Sequence, residues 1–264
     1  MIANFNVISD NLDYLLWGRL SEGQPGGVAL TLLMAIGAAV LALPGGILLA
    51  CLAWRFDGLV RRILFLWAEI IRGIPLIFVI FWLWYLLPML TGSDLPGAMT
   101  VTLALAWFTA ASVMHSVLAG LQALPIGQRE AAQTQGFGST KILWLILLPQ
   151  AIRAMLPVII AQLVVTLKDT ALGFIITYPE LLYYTKLLSA QARLGSPILQ
   201  SAIVIGGICI VMCLLLSWLA HWIEKRGRRS AKRAGAGPHE PAADDEATLT
   251  EVISMQAGPG NITK

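Results

Sequence analysis

The ionisable residues that could do chemistry here are the few set among apolar neighbours. Lys168 and Asp169 interrupt a long apolar run. His115 sits among Ala110, Ala111, Ser112, Ser116 and Ala119, and Glu69 and Arg72 lie three apart near the start of another apolar stretch. An ionisable group inside a bilayer is costly, and by default it is a candidate for a solute or ion path. Adjacent residues on a helix point in different directions, so Lys168 and Asp169 need not pair with each other. The competing reading places them near an interface, bonded to neighbouring helices. A lone histidine among small residues can equally serve as a hydrogen-bonding contact across two close helices. Glu69 and Arg72 share one helix face and favour a structural ion pair.

Catalytic chemistry finds little support. Ser112, His115 and Ser116 lack a G-x-S-x-G elbow and a third orienting acid. The three histidines are scattered and do not form a zinc site. Cys51, Cys209 and Cys213 lie in apolar runs and read as packing residues. No Gly-Lys dipeptide occurs, so the chain has no phosphate-binding P-loop. No bound cofactor and no metal are expected.

The elements that must position these residues are membrane helices. The chain has 264 residues, of which 57% are hydrophobic and 12% charged. Soluble domains carry about 25% charged residues, so an all-α integral membrane protein is expected. The net charge of +3 is too small to argue for nucleic acid. A span needs roughly 20 apolar residues. Five are expected: Val28 to Trp54, Ile63 to Leu90, Ala98 to Gln122, Pro149 to Ile176, and Ile198 to Ile223. Residues 1–27 hold Asp10, Asp13 and Glu22 against Arg19 and lack the basic start of a secretory signal. The first span is therefore expected to remain as an anchor. Thr177 to Ser196 is a polar, tyrosine-bearing loop with room for a short helix. Residues 227–264 read as a disordered cytoplasmic tail, leaving 28–226 as the membrane domain.

Lysine and arginine set the orientation. Of the 18 in the chain, only Arg19, Lys186 and Arg193 fall on one side, with Lys168 inside a span. The rest, including Arg55, Arg61, Arg62, Arg72, Arg129, Lys141, Arg153 and the cluster Lys225 to Arg233, fall on the other. The asymmetry puts the N-terminus outside and the C-terminus in the cytoplasm. The cluster is also a candidate contact for membrane lipid.

One cytoplasmic segment, 125–148, is too polar and too short to be a plain span. Gln128 to Gln135 favours helix. Gly136 and Gly138 break it around Phe137, Ser139 is a plausible N-cap for a second helix, and Pro149 permits a fresh start. The result is a helix–turn–helix elbow. Glu130-Ala131-Ala132, Gly136, Ile146, Leu148 and Pro149 match, at every fixed position, the motif of ABC importer permeases: EAA, three residues, Gly, nine residues, Ile, one residue, Leu-Pro. The chain resembles the polar amino-acid branch of that family (the histidine, glutamine and glutamate/aspartate systems) through RGIPL at Arg72–Leu76, LPIGQREAA at Leu124–Ala132, LLPQAIRAMLP at Leu147–Pro157, LKDTAL at Leu167–Leu172 and PELL at Pro179–Leu182. The similarity runs from about Thr31 to Arg226.

The resemblance implies a type I ABC importer permease fold in a bacterial inner membrane. It implies a second permease subunit, self or paralogue, ATP-binding cassette subunits and an extracytoplasmic solute-binding protein. Glu130, Ala131, Ala132 and Gly136 would form the elbow that docks into the ATPase. Lys168, Asp169 and His115 would be candidates to line an amino acid's path. One departure stands out. The family often places Glu and Arg in span three where this chain has His115 and Leu118. An ion-coupled secondary transporter is the alternative, but its inverted repeat of paired broken helices is not evident.

Overall fold

The computed structural model describes residues 12–20, 23–56, 58–189 and 198–233. The elements are α1 (Leu12–Trp17), a two-residue hairpin pairing Gly18–Arg19 with Gln24–Pro25, α2 (Gly27–Arg55), α3 (Leu59–Gly73), α4 (Leu76–Thr91), α5 (Gly97–Gln122), α6 (Ile126–Thr134), α7 (Ser139–Ile176), α8 (Leu181–Ser189) and α9 (Ile198–Arg233). Among the described residues, four helices are long and apolar enough to cross a membrane, and a fifth crossing is available if α3 and α4 count as one broken span. The chain divides into two compact units, Met1–His221 and Trp222–Lys264. The helix crossings and the elbow belong to the first.

The core is a close crossing of α2 and α5. Met34, Ala38, Ala42, Gly46 and Ala50 recur every four residues on α2 and are all buried. Small residues at that spacing let helix backbones approach in lipid, where dispersion and not water drives association. The approach is tight at Gly46. A Cβ there would lie 2.7 Å from the Ala110 carbonyl oxygen and from Val113. On the other side α5 meets α7, where the Thr109 and Thr166 hydroxyls hydrogen-bond at 2.8 Å.

The second expected span, Ile63 to Leu90, is broken within its length: α3 and α4 meet at a 97° bend. Ile74 is extended, as a residue before proline prefers, and Pro75 starts α4 without an N–H to give. Apolar composition hid this break because hydropathy measures polarity and not chain direction.

The fourth span differs too. Pro149 does not begin a fresh helix, because α7 runs continuously from Ser139. A widened π turn at Ile142–Leu147 precedes the proline. The Pro149 ring crowds the carbonyl four residues back, Leu145, and the wider turn moves that carbonyl aside. The same pairing occurs in α4, with a π turn at Trp82–Leu86 ahead of Pro88.

The loop after α7 holds the helix α8 that the sequence left room for. The expected boundary at 226/227 falls within a helix, since α9 continues to Arg233. The rest of the expected tail, 234–264, lies outside the described residues, as does Arg193.

Candidate functional site

The elbow is built from the inside outward. Ala132 is the buried residue of α6, 5% exposed, and packs in one cluster with Ile142, Leu143, Leu147 and Leu148 of α7 and with Ala50, Cys51 and Ala53 of α2. Glu130 and Ala131 face outward and are exposed. The helix ends in a Schellman motif. The Phe137 N–H donates to the Ala132 carbonyl at 3.1 Å and the Gly136 N–H donates to the Gln133 carbonyl at 2.9 Å. Gly136 takes φ +81°, a left-handed conformation open to glycine and strained for other residues. Ser139 does not cap. Gly138 is the N-cap and Ser139 is the first helical residue, with no side-chain cap hydrogen bond. The Arg129 guanidinium lies 5.4 Å from the Trp54 ring centroid and ties α6 to the end of α2.

The intramembrane candidates occupy two places. Lys168 and Asp169 end the α-helical part of α7, which tightens into a 3₁₀ turn from Thr170. No ion pair joins them among the described residues. Lys168 lines a cavity of about 260 Å³ with Thr31, Thr170, Glu180, Ile205 and Met212. His115 lies elsewhere. Its Nε2 is 3.4 Å from Glu69 Oε1, and its ring packs edge-on against Phe65 at 4.7 Å. Glu69 also meets Arg72 at 3.8 Å, the pair expected from their spacing. On α5 the residue level with Thr166, two before Lys168, is Thr109, six residues and roughly 9 Å of helix rise before His115. The structure therefore does not bring His115 together with Lys168 and Asp169.

Glu180 is the polar residue that sequence reasoning missed. It is 1% exposed. Its two carboxylate oxygens accept from the backbone N–H groups of Leu182 (2.8 Å) and Tyr183 (2.8 Å), which caps α8. The neighbouring Leu181 N–H donates to Thr31 Oγ1 at 3.3 Å, and the Gly27 N–H donates to the Pro179 carbonyl at 3.1 Å. Glu180 thus sits where α8 is pinned onto the start of α2. Burial raises its pKa from 4.5 to about 7, against the pull of the two amide hydrogen bonds. The only signal in the sequence was its place in PELL, which says nothing of burial.

Set beside known proteins, residues 42–229 match the model of the binding-protein-dependent transport system inner membrane component family. The chain belongs to this family of ABC transporter permeases. It is 30% identical over 236 residues to the histidine/lysine/arginine/ornithine transport system permease protein HisM of Salmonella typhimurium, covering 84% of this chain and 95% of that one. It is 31% identical over 170 residues to the probable glutamine ABC transporter permease protein GlnP of Bacillus subtilis, covering 64% and 78%. A chain in the crystal structure of an amino acid ABC transporter with histidines superposes with a TM-score of 0.65 at 27% identity, covering 75% of this chain and 91% of that one. This permease is accordingly an inner membrane transport component and not an enzyme. The relatives lend no support to the ion-coupled alternative.

Proposed function

We propose that this permease moves a polar or charged amino acid inward across the membrane, as the spanning half of an ABC importer. Its N-terminus faces outward, and the elbow and α9 end in the cytoplasm. Two permease chains, identical or paralogous, form the pore. A solute-binding protein presents the amino acid at the outer face, and ATP-binding subunits dock at the elbow. The observation that carries this reading is the elbow's geometry. Glu130 and Ala131 are offered to a partner while Ala132 is locked into the core, and Gly136 fixes the turn between them. A movement imposed on α6 passes into α2 and α7 through that shared packing, because close-packed interiors transmit displacement instead of absorbing it. ATP-driven closure of the paired ATPases would switch the pore by this route.

Lys168, on the wall of the cavity at the opposite end, is placed to meet the substrate's carboxylate, with Asp169 beside it. His115, with Glu69 and Arg72, forms a separate polar step nearer the elbow. Amino-acid transport is supported by the names of the relatives, which are histidine and glutamine permeases among others.

The test is affinity capture of the tagged chain from gently solubilised membranes, with a Glu130→Lys control. Recovery of a P-loop ATPase by the wild type and its loss in the control is expected. Recovery of the ATPase by both would remove Glu130 from the interface. Uptake of a radiolabelled amino-acid panel by Lys168→Gln, in cells where the complex still assembles, separates path from assembly. Undiminished uptake would exclude Lys168.

A further inference from the structure

Three stripes run along α3. Leu64, Trp67, Ala68 and Ile71, spaced three and four apart, pack into the core. Leu59, Ile63 and Ile70 form an exposed apolar stripe. Arg62, Phe65, Glu69 and Arg72 lie on the remaining side and are exposed. Contacts with α5 fix how deep this polar stripe reaches. α3 starts at the elbow end, where Arg61 shares a cleft with Gln122 and Arg129. Farther along, Phe65 and Glu69 meet His115, and the Trp67 ring lies 6.4 Å from that of Trp107. His115 is seven residues and roughly 10 Å of helix rise from Gln122, and Trp107 is roughly 22 Å from it. α3 therefore climbs along α5 from the elbow end toward the middle of the bundle and carries its charged stripe with it. Against a hydrocarbon core of about 30 Å, that depth puts Glu69 and Arg72 inside the bilayer. The helix stops at the 97° bend, one residue after Arg72.

Charged side chains at this depth are costly against acyl chains and need water or a partner. Glu69 and Arg72 keep 52% and 45% of their side-chain surface open, and at 3.8 Å their pairing is loose. The same oxygen, Glu69 Oε1, also lies 3.4 Å from His115 Nε2, which has no hydrogen-bond partner among the described residues. One carboxylate thus stands between two bases and bonds closely to neither, so both Glu69 and Arg72 keep unused hydrogen-bonding capacity. A cleft of about 570 Å³ runs along the stripe, lined by Gly58, Arg61, Arg62, Phe65, Leu66 and Glu69. With a water taking roughly 30 Å³, it has room for an amino acid and its hydration. We infer, on the importer reading above, that Glu69 and Arg72 form a station for the ammonium and carboxylate of an amino acid, in a water-filled vestibule that opens at the elbow end and closes at the bend. The planar fork of Arg72 matches the two oxygens of a carboxylate. Glu69 accepts from the ammonium, and His115 acts as a positioning residue behind it. Residues three apart on a helix have Cβ atoms about 5–6 Å apart, a spacing that suits opposite charges carried on either side of one carbon. The groups engaged are common to all α-amino acids, so the station reads the substrate's backbone and is indifferent to its side chain.

The experiment uses inside-out membrane vesicles carrying the full importer and a membrane-impermeant maleimide. Arg62→Cys and Phe65→Cys should label from the elbow side, above the background set by the native Cys51, Cys209 and Cys213 of the wild type. Ile63→Cys and Ile70→Cys, on the apolar stripe, should not. L-glutamine, L-glutamate and L-histidine should each protect Phe65→Cys from the reagent. Glutaramate, which is glutamine without its ammonium, and γ-aminobutyramide, which is glutamine without its carboxylate, should each protect about tenfold more weakly, the usual effect of one charge-assisted hydrogen bond. Adding Arg72→Gln should erase the distinction between glutamine and γ-aminobutyramide and keep that between glutamine and glutaramate. Glu69→Gln should do the reverse. A purely structural ion pair would move both distinctions together or neither. If Arg72→Gln does not assemble, Arg72→Lys keeps the charge without the fork and should retain part of the distinction. Equal labelling of the two stripes overturns the inference, as does protection that is the same with and without Glu69 and Arg72. Labelling of neither stripe gives the polar stripe to a protein partner and overturns it as well. If whole cells take up labelled amino acids while none protects Phe65→Cys, the station falls and the importer reading stands. If there is neither uptake nor protection, both fall.

Discussion

The two ends of the bundle handle polar groups in opposite ways. At the elbow end, Glu130, Arg55, Arg61 and Arg129 are exposed, while apolar packing beneath them is dense. At the far end, Glu180, Thr31 and Thr170 are buried and bonded to backbone groups. Exposed polar groups on a rigid base are available to another molecule. Buried polar groups that are satisfied within the chain instead fix the shape of the chain around them. The elbow end is thus built to be touched, and the far end is built to hold a cavity wall in place. Lys168 departs from this pattern, as an exposed cation on the wall of the far-end cavity.

The sharpest way to break the contrast is at Glu180. Its folded pKa of about 7 lies above its ordinary value of 4.5. A raised folded pKa means the folded state holds the proton more tightly. The associated stability is complete below about pH 4.5 and is lost as pH rises to about 7, a difference on the order of 3 kcal/mol. The thermal midpoint of the solubilised chain should therefore fall between pH 5 and pH 8. Glu180→Gln should flatten that dependence, because the amide has no proton to lose and its oxygen can still cap one of the two N–H groups. A variant midpoint that follows the wild-type slope would show that another group titrates. Glu180→Ala leaves two amide donors without acceptors and should be the more damaging of the two variants at acid pH.

At the elbow the corresponding break is backbone geometry, and a smaller effect is expected. A Cβ at Gly136 meets nothing within 4 Å, so the cost of Gly136→Ala comes from φ alone. That cost is about 1–2 kcal/mol. It should appear as a modest loss of midpoint and a larger loss of ATPase capture, since the turn orients Glu130. Gly136→Asn tolerates left-handed backbone better and should recover most of both. Equal behaviour of the alanine and asparagine variants would mean that the turn does not need this conformation.

How much of this was legible in the sequence depended on the range of the interaction. The elbow was legible because its determinants are local. Gly136 ends a nine-residue helix, and the Schellman bonds from the Gly136 and Phe137 N–H groups reach only to Gln133 and Ala132. Spans one, three and five were legible from apolar length. The break between α3 and α4 was written in Gly73 and Pro75, yet the unbroken apolar content of the stretch outweighed them. Ser139 looked like a cap because its type suits the role, but the preceding glycine, already extended at φ −72° and ψ 152°, takes the position. Glu180 was out of reach. Its neighbour Leu181 bonds to Thr31, 150 residues away, and no periodicity within the chain reports such a contact.

The smallest effect tests the seam between the two regions. Thr109 and Thr166 join α5 to α7 beside the far-end cavity, which Leu167 and Lys168 line, and roughly 9 Å of helix rise from His115, through a 2.8 Å hydroxyl pair. Thr166 also donates back to the Gln162 carbonyl at 2.9 Å, so its hydroxyl has a local partner even without Thr109. Hydrogen bonds between membrane helices average about 0.6 kcal/mol in double-mutant cycles, because the separated helices find other partners. The cycle of Thr109→Val and Thr166→Val should return a coupling of about that size. A coupling near zero would mean that the local bond of Thr166 suffices and that the two regions are joined by shape alone. A coupling of about 2 kcal/mol would make the pair a rigid link, and uptake should then fall in either single variant without loss of ATPase capture.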